Sequence, residues 1–167
     1  MDIERIVAQV LDNVQNGAMT QKEAPLQIKS ISLKAAKALI ELVEAEAKRM
    51  GVNAVIAVSN AGANPVAVHC MDDSYIASFD VAFQKAYTVV ALKMSTMTLK
   101  GLSQPGGALY GIQHTNQGRI VIFGGGEPLE VDGVVIGGLG VSGGSEEQDA
   151  ALAAYGKNKL KEVIAWL

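Results

Sequence analysis

Fourteen of the chain's 18 glycines lie between Gly101 and Gly144, which leaves four for the other 123 of its 167 residues. Glycine enters left-handed backbone without penalty and lets a second backbone come close, but it weakens the interior of a helix or strand by about 0.5–1 kcal/mol. A stretch this rich in glycine is therefore built of tight turns and closely packed segments rather than long helices. The order of the elements around it decides which architecture results.

Before Gly101 the chain is mainly helical. Ala35, Leu39, Leu42, Val43, Ala47 and Met50 recur at helical spacing and Gly51 follows, which predicts a helix with a glycine cap. Asn53 to Ser59 reads as a buried strand, and the turn Asn60-Ala61-Gly62-Ala63-Asn64-Pro65 leads into a second strand, Val66 to Cys70, to make a hairpin. Asp72-Asp73-Ser74 offers N-cap side chains for a long helix to about Lys93, and a shorter helical segment runs from Ser95 to Leu102. Three strands follow: Arg119 to Phe123, Leu129 to Val131 and Val134 to Gly140, joined by turns at Gly124-Gly125-Gly126 and Asp132-Gly133. Ser145-Glu146-Glu147-Gln148 is a capping box opening a last helix, with Leu160, Val163, Ile164 and Leu167 on its stripe. Short connections force antiparallel pairing, and the helical crossing joins both strand sets in one sheet. The expected fold is thus α/β of the α+β kind: a five-stranded antiparallel sheet with flanking helices in the order αββααβββα.

A short amphipathic helix precedes this domain. In residues 2 to 15, Ile3, Ile6, Val7, Val10, Leu11 and Val14 form a one-sided apolar stripe, with Asp2, Glu4, Arg5, Gln9, Asp12 and Asn13 on the other faces. Asn16-Gly17 ends it, and residues 18–29 read as a linker, so the organisation is a helix over 1–17, a linker over 18–29 and a domain over 30–167. A helix of about 14 residues is marginal alone, so its stripe needs a surface. That surface is either the chain's own domain, a dimer mate, or the groove of a partner.

Charge and composition exclude several functions. Lys+Arg number 14 against 17 Asp+Glu, a net charge of −3 with no long basic run, which argues against nucleic acid. No apolar stretch reaches the ~20 residues of a membrane span, and the N-terminus is not that of a signal peptide, so a cytoplasmic protein is expected. Cys70 is the single cysteine, most simply a small core residue, and no cluster of sulfur and imidazole ligands exists for structural zinc.

The glycine motifs do not make a nucleotide site. Gly138-Leu139-Gly140-Val141-Ser142-Gly143 has the form G-x-G-x-x-G, but the residues beyond it read as one helix with no parallel strand to complete a βαβ unit. The N–H groups around Ser142 to Ser145 could still meet an anion such as a carboxylate, or the turn could simply let the helix pack closely. Gly124-Gly125-Gly126-Glu127-Pro128 lacks the Gly-Lys-Ser/Thr ending of a phosphate loop. His69 and His114 are the only histidines: His69 lies on a strand, where a packed or surface role is commoner, and His114 lies in a polar loop where an imidazole is reachable. One histidine suffices as an axial ligand of haem iron. Lys85 interrupts the apolar run Val81-Ala82-Phe83-Gln84-Lys85-Ala86 and either snorkels to water, the commoner outcome, or points a cation into a pocket.

A set of longer stretches then stands out: His69-Cys70-Met71-Asp72-Asp73-Ser74, the run Phe79 to Thr88, Pro105-Gly106-Gly107, Leu109-Tyr110-Gly111, Gly124 to Leu129, and Gly137 to Gly144 with Gln148-Asp149. Together they resemble the GlcG/HbpS-like haem-binding family over about residues 30–167, and within it the C-terminal domain of PduO-type proteins. The resemblance implies the αββααβββα domain, homo-oligomers, and binding of haem or, less readily, a cobalamin-type tetrapyrrole. PduO-type proteins also carry an adenosyltransferase domain with no counterpart in these residues, so adenosyl transfer is not implied. At Cys70 many relatives have an arginine before the Met-Asp pair. The helix Ile3 to Leu11 ahead of a linker is similar to the encapsulation peptides that target enzymes to bacterial microcompartments, which implies shell protein or another cargo as partner and the compartment lumen as location.

The expectation is a non-catalytic accessory protein that holds haem and supports cofactor maintenance. His114 is the first choice for iron and His69 the second, with Lys85, Pro105, Gly106, Gly125, Gly126 and Ser142 around the ligand. The alternatives are an enzyme acting on a small carboxylate or aldehyde, with Lys85 in a pocket rimmed by Pro105, Gly125 and Ser142, and a structural cargo adaptor.

Overall fold

The computed structural model describes residues 2–17 and 28–165. Most of the linker expected over 18–29, and Leu167 of the last stripe, lie outside the described residues, as do the side chains of Val10 and Val14. Helix α1 spans Ile3–Gly17. The domain runs α2 (Leu33–Met50), β1 (Val55–Asn60), β2 (Pro65–Cys70), α3 (Ser78–Leu92), α4 (Thr96–Leu102), β3 (Gly126–Val131), β4 (Val134–Ser142) and α5 (Glu146–Ala165), with two short 3-10 turns, Ile112–His114 and Asn116–Gly118, between α4 and β3.

The sheet has four strands in the order β2-β1-β4-β3, every neighbouring pair antiparallel. This corrects the expected five strands: the domain order is αββααββα, because Arg119 to Phe123 joins no ladder. Ile120 in that stretch is buried, as its apolar character demands, but the segment lies against α3. The Thr88 hydroxyl on α3, whose proton is closest to the Gln84 carbonyl at 2.7 Å, accepts the Val121 N–H at 3.0 Å and sits 3.3 Å from the Arg119 carbonyl, so a helix side chain stands where a neighbouring strand would. With its backbone held by a helix side chain, the segment needs no strand partner.

Local signals set the element ends. Ser32 Oγ accepts the Ala35 N–H at 3.1 Å at the start of α2, and Gly51 closes it at φ 69 with its N–H turned back on the helix. Asp132 and Gly133, both at positive φ, form the turn between β3 and β4 that an Asp-Gly pair favours. The start of α3 differs from expectation: Asp72 to Ser74 do not cap it, and the helix begins at Ser78 after turns in which the Ser74 N–H bonds Met71 and the Ser78 N–H bonds Tyr75.

Two layers of helix cover the sheet. On one face Ile56, Val58, Leu139 and Val141 pack with Leu39, Ile40 and Val43 of α2 and Leu152 and Leu160 of α5. Each such fully buried aliphatic side chain contributes roughly 1.5–3 kcal/mol. On the other face Val55 and Ala57 meet Ala82 and Ala86 of α3. Gly138 and Gly140 of β4 face α3 as well, and a Cβ at either would collide with the carbonyl oxygens of Ala86 and Ala82. The G-x-G signature is therefore a slot for a helix backbone. Among the described residues no helix is long and apolar enough to cross a membrane.

Candidate functional site

Side chains from three helices converge on Gly124-Gly125-Gly126. The Gly124 N–H donates to Glu146 of α5 at 2.7 Å, and the Gly126 N–H to Thr96 Oγ1 of α4 at 2.9 Å. Gly125, at φ 108, lies over Lys85 of α3: a Cβ there would stand 2.6 Å from Lys85 Nζ and 2.7 Å from the Val141 carbonyl oxygen.

Lys85 is 0% exposed. Its ammonium donates to the Val141 carbonyl at 2.7 Å and to Asp149 Oδ2 at 3.0 Å, and the Phe123 ring centroid is 5.0 Å away. Asp149 Oδ1 accepts the Gly144 N–H at 2.9 Å. Burial pushes the Lys85 ammonium below its ordinary 10.5, and Asp149 pulls it back up. The snorkelling outcome is thus replaced by an inward cation held by the Val141 carbonyl and Asp149, and no surface is left on it for a substrate carbonyl. Glu146 is held below the usual carboxylate range by Lys100 at 2.5 Å and by the Gly124 N–H.

Beside this pair opens a cleft of about 320 Å³ lined by Tyr75, Ser78, Val81, Phe123 and Ser142. Ser142 Oγ donates to Ser78 Oγ at 3.2 Å on its floor. At the start of α5, where the sequence left an anion site or a close-packing turn open, the Gly144 N–H is taken by Asp149, and Ser145 and Gln148 cap each other, with the Ser145 N–H on Gln148 Oε1 at 2.9 Å. Three acids, Glu146, Glu147 and Asp149, occupy the first turn.

Of the residues singled out in the sequence, Lys85, Gly125 and Ser142 come together here, and Gly126 adjoins them against Thr96 and Val89. Pro105 and Gly106 lie in the exposed loop after α4. His69 faces α2, its Nδ1 3.3 Å from Glu44 Oε2. His114 is exposed on the loop between α4 and β3, with Gln113 as its side-chain neighbour. Cys70 is exposed, not a core residue, since β2 is an edge strand and position 70 is its last. Among the described residues no group of three His, Cys, Asp or Glu side chains is placed to hold a metal ion.

The loop carrying His114 is wound by successive short turns, in which the N–H groups of Ile112, His114, Thr115, Gly118 and Arg119 each bond a carbonyl three residues back. It also carries Tyr110, 65% exposed, four positions before His114. It closes on Tyr87 of α3, whose hydroxyl accepts from Asn116 Nδ2 at 3.2 Å and whose ring stacks under Arg119. Asp149, Glu146, Thr96, Phe123 and Arg119 were not singled out from sequence. Asp149 could have been, because it shares the stripe of Leu152, Ala153, Gly156 and Leu160, where a charge requires a buried partner.

Comparison with known proteins agrees with this architecture. Residues 31–157 match the family described as haem degrading protein HbpS-like. An uncharacterised 15.0 kDa protein in the dhaT-dhaS intergenic region of Citrobacter freundii is 47% identical over 127 residues, 76% of this chain and 89% of that protein. The corrinoid adenosyltransferase PduO of Salmonella typhimurium is 43% identical over 107 residues, 64% of this chain, but that match spans only 32% of PduO. A solved structure, the PduOC:heme complex, superposes with a TM-score of 0.74 at 37% identity, covering 77% of this chain and 94% of that one. On the family match and these relatives, the chain belongs to the HbpS-like family and is related to the C-terminal part of PduO.

Proposed function

We propose that the protein is a haem-binding accessory protein of a bacterial microcompartment, with the His114 loop as its haem surface. The observation that carries this reading is the 37% identity to a domain solved as a haem complex. The residues of this chain fit such a group. His114 offers an exposed imidazole, Tyr110 and Arg119 supply an aromatic ring and a cation on the same loop, and Tyr87 of α3 lies under Arg119, which suits a flat apolar ring with carboxylate arms. His69 is the competing ligand: its Nδ1 is engaged by Glu44, which fixes the ring and leaves Nε2 for iron. When bound, haem supplies redox or ligand-binding chemistry, and the protein's part is to hold and orient it.

The location rests on α1. Ile3, Ile6, Val7 and Leu11 are exposed, at 74%, 47%, 50% and 54%, so these described positions of the stripe are not covered by the domain and are open to a shell protein or another cargo helix. Homo-oligomerisation follows the same reading, since haem on an open surface gains burial from a second copy.

A haemin titration followed in the Soret region tests the proposal with the wild type, His114→Ala and His69→Ala. The expected result is a saturating Soret shift that His114→Ala abolishes and His69→Ala leaves in place. Absence of any shift in the wild type overturns haem binding, and loss in His69→Ala alone moves the iron to β2.

A further inference from the structure

We propose that Arg119 forms a carboxylate subsite on the His114 loop and takes a propionate of the bound tetrapyrrole; the inference rests on the haem reading above. Three features single Arg119 out. Its guanidinium lies 3.7 Å from the Tyr87 ring centroid, and its Nε donates to Gln84 Oε1 at 3.3 Å, so the group is fixed from two sides. Its two terminal nitrogens have no hydrogen-bond partner and no carboxylate within ion-pair distance among the described residues, a state shared with exposed lysines such as Lys34 and Lys93, but Arg119 alone among these is fixed on an aromatic ring. A held guanidinium with its fork open matches the two oxygens of a carboxylate.

The backbone leading into it is strained. Asn116, Gln117 and Gly118 stand consecutively at φ 50, 60 and 74, a left-handed run that L-residues resist. Asn116 reaches the Tyr87 hydroxyl from within that run, so the strained turn sets both the ring and the cation that lies on it. A strained turn that sets a held guanidinium is what a ligand-holding loop shows.

The ligand class is a carboxylate on a flat apolar body. The test compares haemin with haemin dimethyl ester, which keeps the ring and iron but loses both carboxylates, on the full chain and on Arg119→Gln. The wild type is expected to bind haemin about tenfold or more tightly than the ester, and Arg119→Gln to lower haemin to the ester's level while leaving the ester unchanged. Arg119→Lys is expected to restore part of the preference. Equal loss for haemin and ester, or an undiminished preference in Arg119→Gln, overturns the subsite. If neither tetrapyrrole binds, the haem reading falls and the subsite is read alone, from the Arg119 Nε–H resonance during titration with succinate and, separately, inorganic phosphate. A saturating succinate shift supports a carboxylate subsite; a shift with phosphate only, or with neither, refutes it.

Discussion

Replacing Lys85 by methionine keeps an unbranched chain in the same slot and removes the ammonium. Asp149, its side chain 6% exposed, is then a buried charge with the Gly144 N–H as its remaining donor, and the Val141 carbonyl loses its partner too. Breaking a buried pair from one side costs about 3–5 kcal/mol. Asp149→Asn strands the other charge, but that cost has a ceiling. At pH 7 the lysine can shed its proton, and at 1.36 kcal/mol per unit below its ordinary 10.5 this costs about 5 kcal/mol. Each single variant is therefore expected to lose about 3–5 kcal/mol, a large share of a typical domain's total. The double variant Lys85→Met, Asp149→Asn buries no charge and is expected within about 1–2 kcal/mol of wild type, so the coupling exceeds about 3 kcal/mol. Urea unfolding at constant m reads these differences.

The same pair fixes a pH dependence. Because burial lowers the lysine in the folded state, the unfolded chain binds more protons there between the lowered value and 10.5, so wild-type stability gains from this group as pH rises through that window. Lys85→Met lacks the gain. Single variants within 1 kcal/mol of wild type, or a double variant as unstable as the summed singles, would refute the buried-pair argument.

Gly125→Ala is expected to destabilise by about 2–4 kcal/mol in a thermal melt, since the Cβ meets Lys85 Nζ and the Val141 carbonyl at a left-handed φ; Gly51→Ala, with open space around it, should lose only about 1 kcal/mol. Thr88→Val leaves the Val121 N–H without its acceptor and should cost about 1–3 kcal/mol by urea unfolding, with the His114 loop the first region to exchange amide protons. Glu146 is lowered in the folded state, so its stabilisation is present above the ordinary 4.5 and is lost as pH falls through the lowered value; an acid titration of Glu146→Gln should lack that component. Removal of residues 1–17 should leave the urea midpoint of the domain unchanged while abolishing delivery of a fused fluorescent reporter to a compartment, because the described apolar side chains of α1 are exposed.

Most of the fold was legible because its signals are local. Periodicity gave α2, the Asn60 to Asn64 turn gave the first hairpin, and Asp132-Gly133 gave the second, since each rests on residues a few positions apart. The fifth strand failed for a non-local reason. Arg119 to Phe123 has the β-branched apolar run of a strand, but a strand also needs a neighbour, and here the Val121 N–H is taken by Thr88, some thirty positions earlier on a helix.

The site divides along the same line. Lys85 was visible as a charge in an apolar helix, yet where it points depends on Asp149, 64 positions away. Each charge stands on a buried stripe, Lys85 beside Ala82, Ala86 and Val89, and Asp149 beside Leu152, Ala153 and Gly156. Two opposite charges on two buried stripes can be reconciled with low-dielectric packing only by meeting. That condition was open to sequence reasoning. Arg119 was not open to it in the same way, because a cation in a polar loop is the ordinary state of an arginine. The left-handed run at Asn116, Gln117 and Gly118, which Asn and Gly accept but Gln117 does not favour, turns it onto Tyr87 with its fork unpaired among the described residues. The glycine-rich half thus holds two different devices: glycines on β4 and at position 125 that admit a helix and its lysine, and a polar loop with left-handed turns that fixes a guanidinium on the Tyr87 ring.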